Sequence, residues 1–80
     1  MKKILYFSAA WCGPCKTFGP IIQESGVPHE KIDVDSNSEL SAKYGIRSIP
    51  ALVLVDDNGN ELNRSVGILQ KQQLINFYNG

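Results

Sequence analysis

The chain has 80 residues, enough for one small core, and reads as a single domain over residues 1–80. Its 42% apolar content is that of an ordinary globular protein, and eight basic residues offset eight acidic ones. A net charge of zero speaks against nucleic acid or an anionic membrane surface as the main partner, and no stretch approaches the ~18 apolar residues of a membrane span.

Lys3 to Phe7 reads as a buried strand, with Ile4 to Phe7 forming its continuous apolar run. With Met1-Lys2-Lys3 before it, the run resembles the start of a secretory signal. It stops too early, and cleavage after Ser8-Ala9-Ala10 would damage the motif that follows. The expected compartment is therefore the cytoplasm, where paired cysteines are catalytic or metal-binding more often than structural.

Trp11-Cys12-Gly13-Pro14-Cys15-Lys16 comes next. Its cysteines are the only two in the chain, so if a disulfide forms within the molecule it forms here. The Gly13-Pro14 spacer favours a tight turn followed by the first turn of a helix. Cys12 is then at or near a helix N-terminus, where unpaired N–H groups and the helix dipole favour a thiolate. The thiolate is the attacking species in disulfide exchange. Two cysteines and the single histidine, His29, cannot complete a four-ligand zinc site in one chain, so no metal is expected.

The helix should run from Cys12 to about Ser25, with Phe18, Ile21 and Ile22 toward the core and a kink at Pro20. After the Gly26-Val27-Pro28 loop, His29 to Asp35 alternates as a half-exposed strand, with His29 solvated at its start. Ser36 and Glu39 have capping-box spacing, predicting a short helix to Tyr44 that Gly45 ends. Ala51 to Val55 is the most apolar run and the best central strand. Asp57-Asn58-Gly59-Asn60 signals a hairpin to a returning strand, Glu61 to Val66. A last helix should span about Leu69 to Tyr78, with Leu74, Phe77 and Tyr78 inward. The order β-α-β-α-β-β-α combines a parallel βαβ unit with an antiparallel hairpin. It implies an α/β fold: a four-stranded mixed sheet with three helices on both faces.

Taken together, these residues resemble the thioredoxin family. The match comprises the Trp11–Lys16 motif, Pro20 in the same helix, Asp35, Lys43-Tyr44-Gly45-Ile46-Arg47, Ile49-Pro50 before an apolar strand, and Val66-Gly67. They stand in family order over nearly the whole chain. The resemblance implies the thioredoxin fold with strand order 2-1-3-4 and a cis Ile49–Pro50 bond. It implies a thiol–disulfide oxidoreductase that reduces protein disulfides through Cys12 and Cys15. Cys12, nearer the helix start, should be the more exposed and more acidic thiol and attack first; Cys15 should then resolve the mixed disulfide. Trp11, Gly13, Pro14, Ile49, Pro50 and Gly67 should form the substrate surface, with Ile49 pairing its backbone to an extended substrate and Gly67 leaving room for approach. No bound cofactor is implied beyond the redox-active Cys12–Cys15 disulfide, recycled indirectly by NADPH through a thioredoxin reductase. The partners are disulfide-containing proteins, with no nucleic acid and no membrane, and the protein is expected to be a monomer.

The chain departs from the family in three places. Thioredoxins usually carry a further strand and helix ahead of the first strand seen here. Tyr6 stands where they usually have a buried aspartate, close to the lysine that Lys31 matches, and Ala51 follows the proline where threonine is common. Two alternatives stay open. One is a glutaredoxin-like, glutathione-dependent enzyme, whose usual Pro-Tyr spacer and Gly-Gly site are absent. The other is a non-catalytic thioredoxin-fold binding module.

Overall fold

The computed structural model describes residues 1–80. Four strands and three helices follow one another as β1 (Lys3–Ser8), α1 (Gly13–Ser25), β2 (His29–Asp33), α2 (Ser38–Lys43), β3 (Ala51–Val55), β4 (Glu61–Val66) and α3 (Lys71–Asn79). The sheet order is β2-β1-β3-β4, with β1 parallel to β2 and antiparallel to β3, and β4 antiparallel to β3. The expected topology and strand order are both observed.

Inner strands bury both faces, so the two inner strands read as apolar runs instead of alternating. Every residue of β3 is buried, as is every residue of β1 after Lys3. Ile4, Tyr6, Leu52 and Leu54 pack under α1 and α3 with Phe18, Ile22 and Leu74. Leu5, Phe7, Ala51, Val53 and Val55 face the other way, with Ile32 and Tyr44, toward α2. The edge strands are more polar, and β4 buries no residue.

Helix α1 starts from Cys12, whose backbone is extended (φ −85°, ψ 107°), with Pro14 in the first turn. It ends at Gly26, in the left-handed conformation (φ 74°) that glycine adopts freely. The helix runs on through Pro20 without a break, although Pro20 has no N–H to donate.

Local chemistry moves three boundaries. The Ser36–Glu39 capping box does not form. The Asp33 carboxylate instead accepts the amides of Asp35 (2.8 Å) and Ser36 (3.3 Å). This turn ends β2 at Asp33, two residues earlier than the alternation suggests, and α2 starts at Ser38 behind Asn37, which makes no side-chain cap bond. Helix α3 begins at Lys71, not Leu69, because the Gln73 side chain reaches back to accept the Gln70 N–H at 2.9 Å. His29 is half-buried instead of solvated and donates Nδ1–H to the Val27 carbonyl (2.9 Å). In the hairpin, Asp56 accepts the amides of Asn58 (2.9 Å) and Asn60 (3.0 Å). Those bonds, led by the Asn60 amide, hold its carboxyl below the usual carboxylate range.

Candidate active site

Cys12 and Cys15 are joined in a disulfide across the first turn of α1, with Cα atoms 5.3 Å apart, a spacing suited to such a bond. A turn precedes them, closed by the Cys12 N–H donating to the Ala9 carbonyl (3.1 Å). Cys12 is the helix N-cap, the place usually held by a serine, threonine or aspartate oxygen. Its Sγ accepts the Cys15 backbone N–H at 3.2 Å. Pro14 has no N–H to compete, so the sulfur faces a donor at the positive end of the helix. The chemistry that follows is asymmetric: the N-cap sulfur gains most from carrying negative charge.

The two cysteines are equally buried, each 4% exposed. The expectation that Cys12 is the more accessible is therefore not met in the disulfide form. Both sulfurs are tied to one turn and the same packing covers both residues, so helix position distinguishes them, not exposure.

Trp11 lies open to solvent, 69% exposed, and its Nε1–H donates to Asp35 Oδ2 at 2.9 Å. This bond ties the loop before α1 to the loop after β2. Asp35 is one of the family residues in the sequence, but its contact with Trp11 joins positions 24 apart and has no local signature. Trp11 and Ile49 line one groove of about 190 Å³ with Val34, Ile46 and Arg47. Ile49 also packs against the core that holds Cys12 and Cys15. The Ile49–Pro50 bond is cis. The Pro50 carbonyl accepts the Gly67 N–H at 2.8 Å, linking the segment before β3 to the end of β4. Gly67 has φ +98°, which a side chain disfavours, and a Cβ there would meet no atom within 4 Å. Gly13 is likewise open on its side-chain face. Gly13 and Pro14 lie exposed beside the disulfide.

Tyr6, in the position usually held by an aspartate, is 2% exposed. Its hydroxyl donates to the Cys15 carbonyl at 2.6 Å, and its ring meets Phe18 edge-on at 5.7 Å. Burial pushes the phenol above its ordinary value, while the nearby Ser8 hydroxyl, outside hydrogen-bond geometry, opposes this to a smaller degree. Tyr6 is a neutral donor at physiological pH, and its proton is already committed. It braces the first turn and cannot serve as a base for Cys15. No cluster of three or more His, Cys, Asp or Glu side chains is arranged to hold a metal ion.

Comparison with known proteins agrees with this geometry. The sequence model of the thioredoxin family matches residues 1–80. The chain is 43% identical to the thioredoxin of Haemophilus influenzae over 95% of its own length and 76% of the relative's. It is 40% identical to that of Bacillus subtilis over 91% of its length and 75% of the relative's. Among solved structures, a mutant thioredoxin from Halobacterium salinarum superposes with TM-score 0.89 at 33% identity, covering 98% of this chain and 72% of that one. Fasciola hepatica thioredoxin gives 0.86 at 31% identity, covering 98% and 78%. A redox disulfide seated on a helix N-terminus, in a chain matched from end to end, settles the class of chemistry. This chain belongs to the thioredoxin family and is a thiol–disulfide oxidoreductase, a protein-disulfide reductase.

Proposed function

We propose that the chain, as a single domain over residues 1–80, reduces disulfides in protein substrates with Cys12 as the nucleophile and Cys15 as the resolving thiol. The observation that carries the order is the Cys15 N–H donated to Cys12 Sγ at the start of α1. A thiolate on Cys12 keeps that donor and the helix dipole; one on Cys15 lies a turn inside. Cys12 attacks a substrate sulfur, forming the Cys12–substrate bond and expelling the first substrate thiolate. Cys15 then attacks Cys12 Sγ, closing the Cys12–Cys15 bond and expelling the second substrate thiolate.

In this reading Trp11, Gly13, Pro14, Ile49, Pro50 and Gly67 receive the substrate. The apolar groove of Trp11 and Ile49 and the open faces of Gly13 and Gly67 support it. The protein works as a cytoplasmic monomer and is returned to the dithiol by a thioredoxin reductase drawing on NADPH.

Cys15→Ser tests the order. It should accumulate a mixed disulfide on Cys12 when offered an oxidised protein, seen by intact mass, while Cys12→Ser should form none. A stable adduct on Cys15 in the Cys12→Ser protein would reverse the assignment. The reductant is tested by following the oxidised chain with NADPH and thioredoxin reductase, against glutathione. Faster reduction by glutathione would favour the glutaredoxin-like alternative.

A further inference from the structure

Ser8 closes β1 on the same face of the pleat as Ile4 and Tyr6, beneath the start of α1. It is 1% exposed, and its hydroxyl is the one buried side-chain polar group in the protein with no hydrogen-bond partner. Orphaned buried hydroxyls are costly, and folded chains keep few of them. Ser8 and Cys15 line one cleft of about 220 Å³, together with Tyr6, Lys16 and Lys31. In the disulfide form the Cys15 sulfur is bonded to Cys12. Reduction releases it, and a thiolate on Cys15 is then a stronger acceptor in that cleft than the neutral Tyr6 hydroxyl oxygen, the other group near Ser8.

We propose that the Ser8 hydroxyl donates a hydrogen bond to the Cys15 thiolate once the disulfide opens, and so promotes the resolving step. The inference rests on the reading that Cys12 attacks and Cys15 resolves. The titratable and charged groups around the cleft are Tyr6 from β1, Lys16 from α1 and Lys31 from β2. Asp33, paired with Ser8 across β1 and β2, accepts the Asp35 and Ser36 amides and does not line the cleft. Tyr6 spends its proton on the Cys15 carbonyl. The two ammonium groups favour an anion nearby, and the cleft's mouth admits water. The Cys15 proton leaves to that water and on to bulk solvent. The thiolate, held by Ser8, then attacks Cys12 Sγ; the Cys12–Cys15 bond forms, the Cys12–substrate bond breaks, and its electron pair leaves on the substrate thiolate. That thiolate takes a proton back from solvent, so no other reactant is needed.

The predicted signature is specific. Losing one charge-assisted hydrogen bond should raise the inflection of the resolving step by about one pH unit, a tenfold lower thiolate fraction at neutral pH. A more basic thiolate is also more nucleophilic, so part of the loss returns: with a Brønsted slope near 0.45, about threefold. Ser8→Ala should thus resolve about threefold more slowly at pH 7 and about threefold faster on the alkaline plateau. Loss of packing alone would not produce such a crossing.

The assay is stopped-flow reaction of the reduced protein with dithiobis-nitrobenzoate across pH. The first thionitrobenzoate released reports Cys12 attack and the second reports resolution by Cys15. Ser8→Ala should leave the first phase within about twofold and shift only the second, and Ser8→Thr should restore it. An unmoved second inflection in folded Ser8→Ala overturns the proposal. Loss of the first phase in Cys15→Ser would overturn the order of the thiols instead, so the two failures are separable. The unmodified protein gives an independent test by NMR. The Ser8 hydroxyl proton should become slow to exchange when Cys15 ionises in the reduced form, and not in the oxidised form. A hydroxyl proton equally fast in both also overturns the proposal.

Discussion

Replacing Tyr6 with phenylalanine separates bracing from proton transfer at the resolving cysteine. The substitution keeps the ring, its burial and its edge-on contact with Phe18, and removes only the hydroxyl that donates to the Cys15 carbonyl at 2.6 Å. That carbonyl also lies in the helical ladder of α1, so it is left with one partner instead of none. The cost should therefore be that of an ordinary hydrogen bond, about 1 kcal/mol, and not the larger penalty of an orphaned group. For a domain of this size that is a fall in Tm of about 4–8 °C. Urea unfolding should give a lower midpoint with an unchanged slope, since the surface exposed on unfolding is the same.

Alkaline pH supplies a second readout. The folded protein holds the Tyr6 proton more tightly than the unfolded chain, because burial raises the phenol. This contribution is complete below the unfolded value of about 10 and is lost as pH rises from there through the folded value. Tyr6→Phe should show less of that alkaline loss. Resolution of a mixed disulfide near neutral pH should stay within about threefold, since a lost hydrogen bond to the turn is a small perturbation beside the 10²–10⁴ of a positioned base. A folded Tyr6→Phe protein whose resolving step drops a hundredfold would refute the bracing argument. Unchanged stability would show that the hydrogen bond contributes nothing.

Further outcomes follow from the same contacts. Gly67→Ala should destabilise by about 1–2 kcal/mol through its positive φ alone, there being no clash; equal calorimetric midpoints would contradict this. Trp11→Phe should lose the bond to Asp35 at a stability cost of about 1 kcal/mol or less, and raise KM for a protein disulfide more than it lowers kcat. The lowered Asp56 carboxyl contributes stability that is present above the unfolded value near 4 and lost as pH falls through the folded one; acid titration of Asp56→Ala should lack that part of the fall.

The sequence made the sheet and the cysteine pair legible for concrete reasons. Ala51 to Val55 is apolar without interruption, which suits a strand buried on both faces. The Gly-Pro spacer and the short distance between Cys12 and Cys15 confine the pair to one helical turn. The misplaced boundaries had a common origin. A side chain competed for backbone donors that the pattern had assigned elsewhere: Asp33 took the amides near Ser36, and Gln73 took that of Gln70. In the site, Trp11 to Asp35 and Tyr6 to Cys15 became visible only once strands and helix were stacked. Tyr6 gave one hint, as a polar-tipped residue between apolar Leu5 and Phe7, six residues before Cys12. Ser8 gave none, because a serine at a strand end usually meets solvent.

The cap on α1 has a consequence for turnover. Most helix caps are passive, but here the capping atom is also the atom that reacts. Cys12 Sγ has lone pairs to offer the Cys15 amide as a disulfide, as a thiolate or joined to a substrate. The scaffold therefore does not have to dismantle the start of its helix each time two electrons pass through. The rearrangement is confined to which sulfur lies at the other end of one bond, and the surrounding protein works as a fixed jig holding a single moving joint.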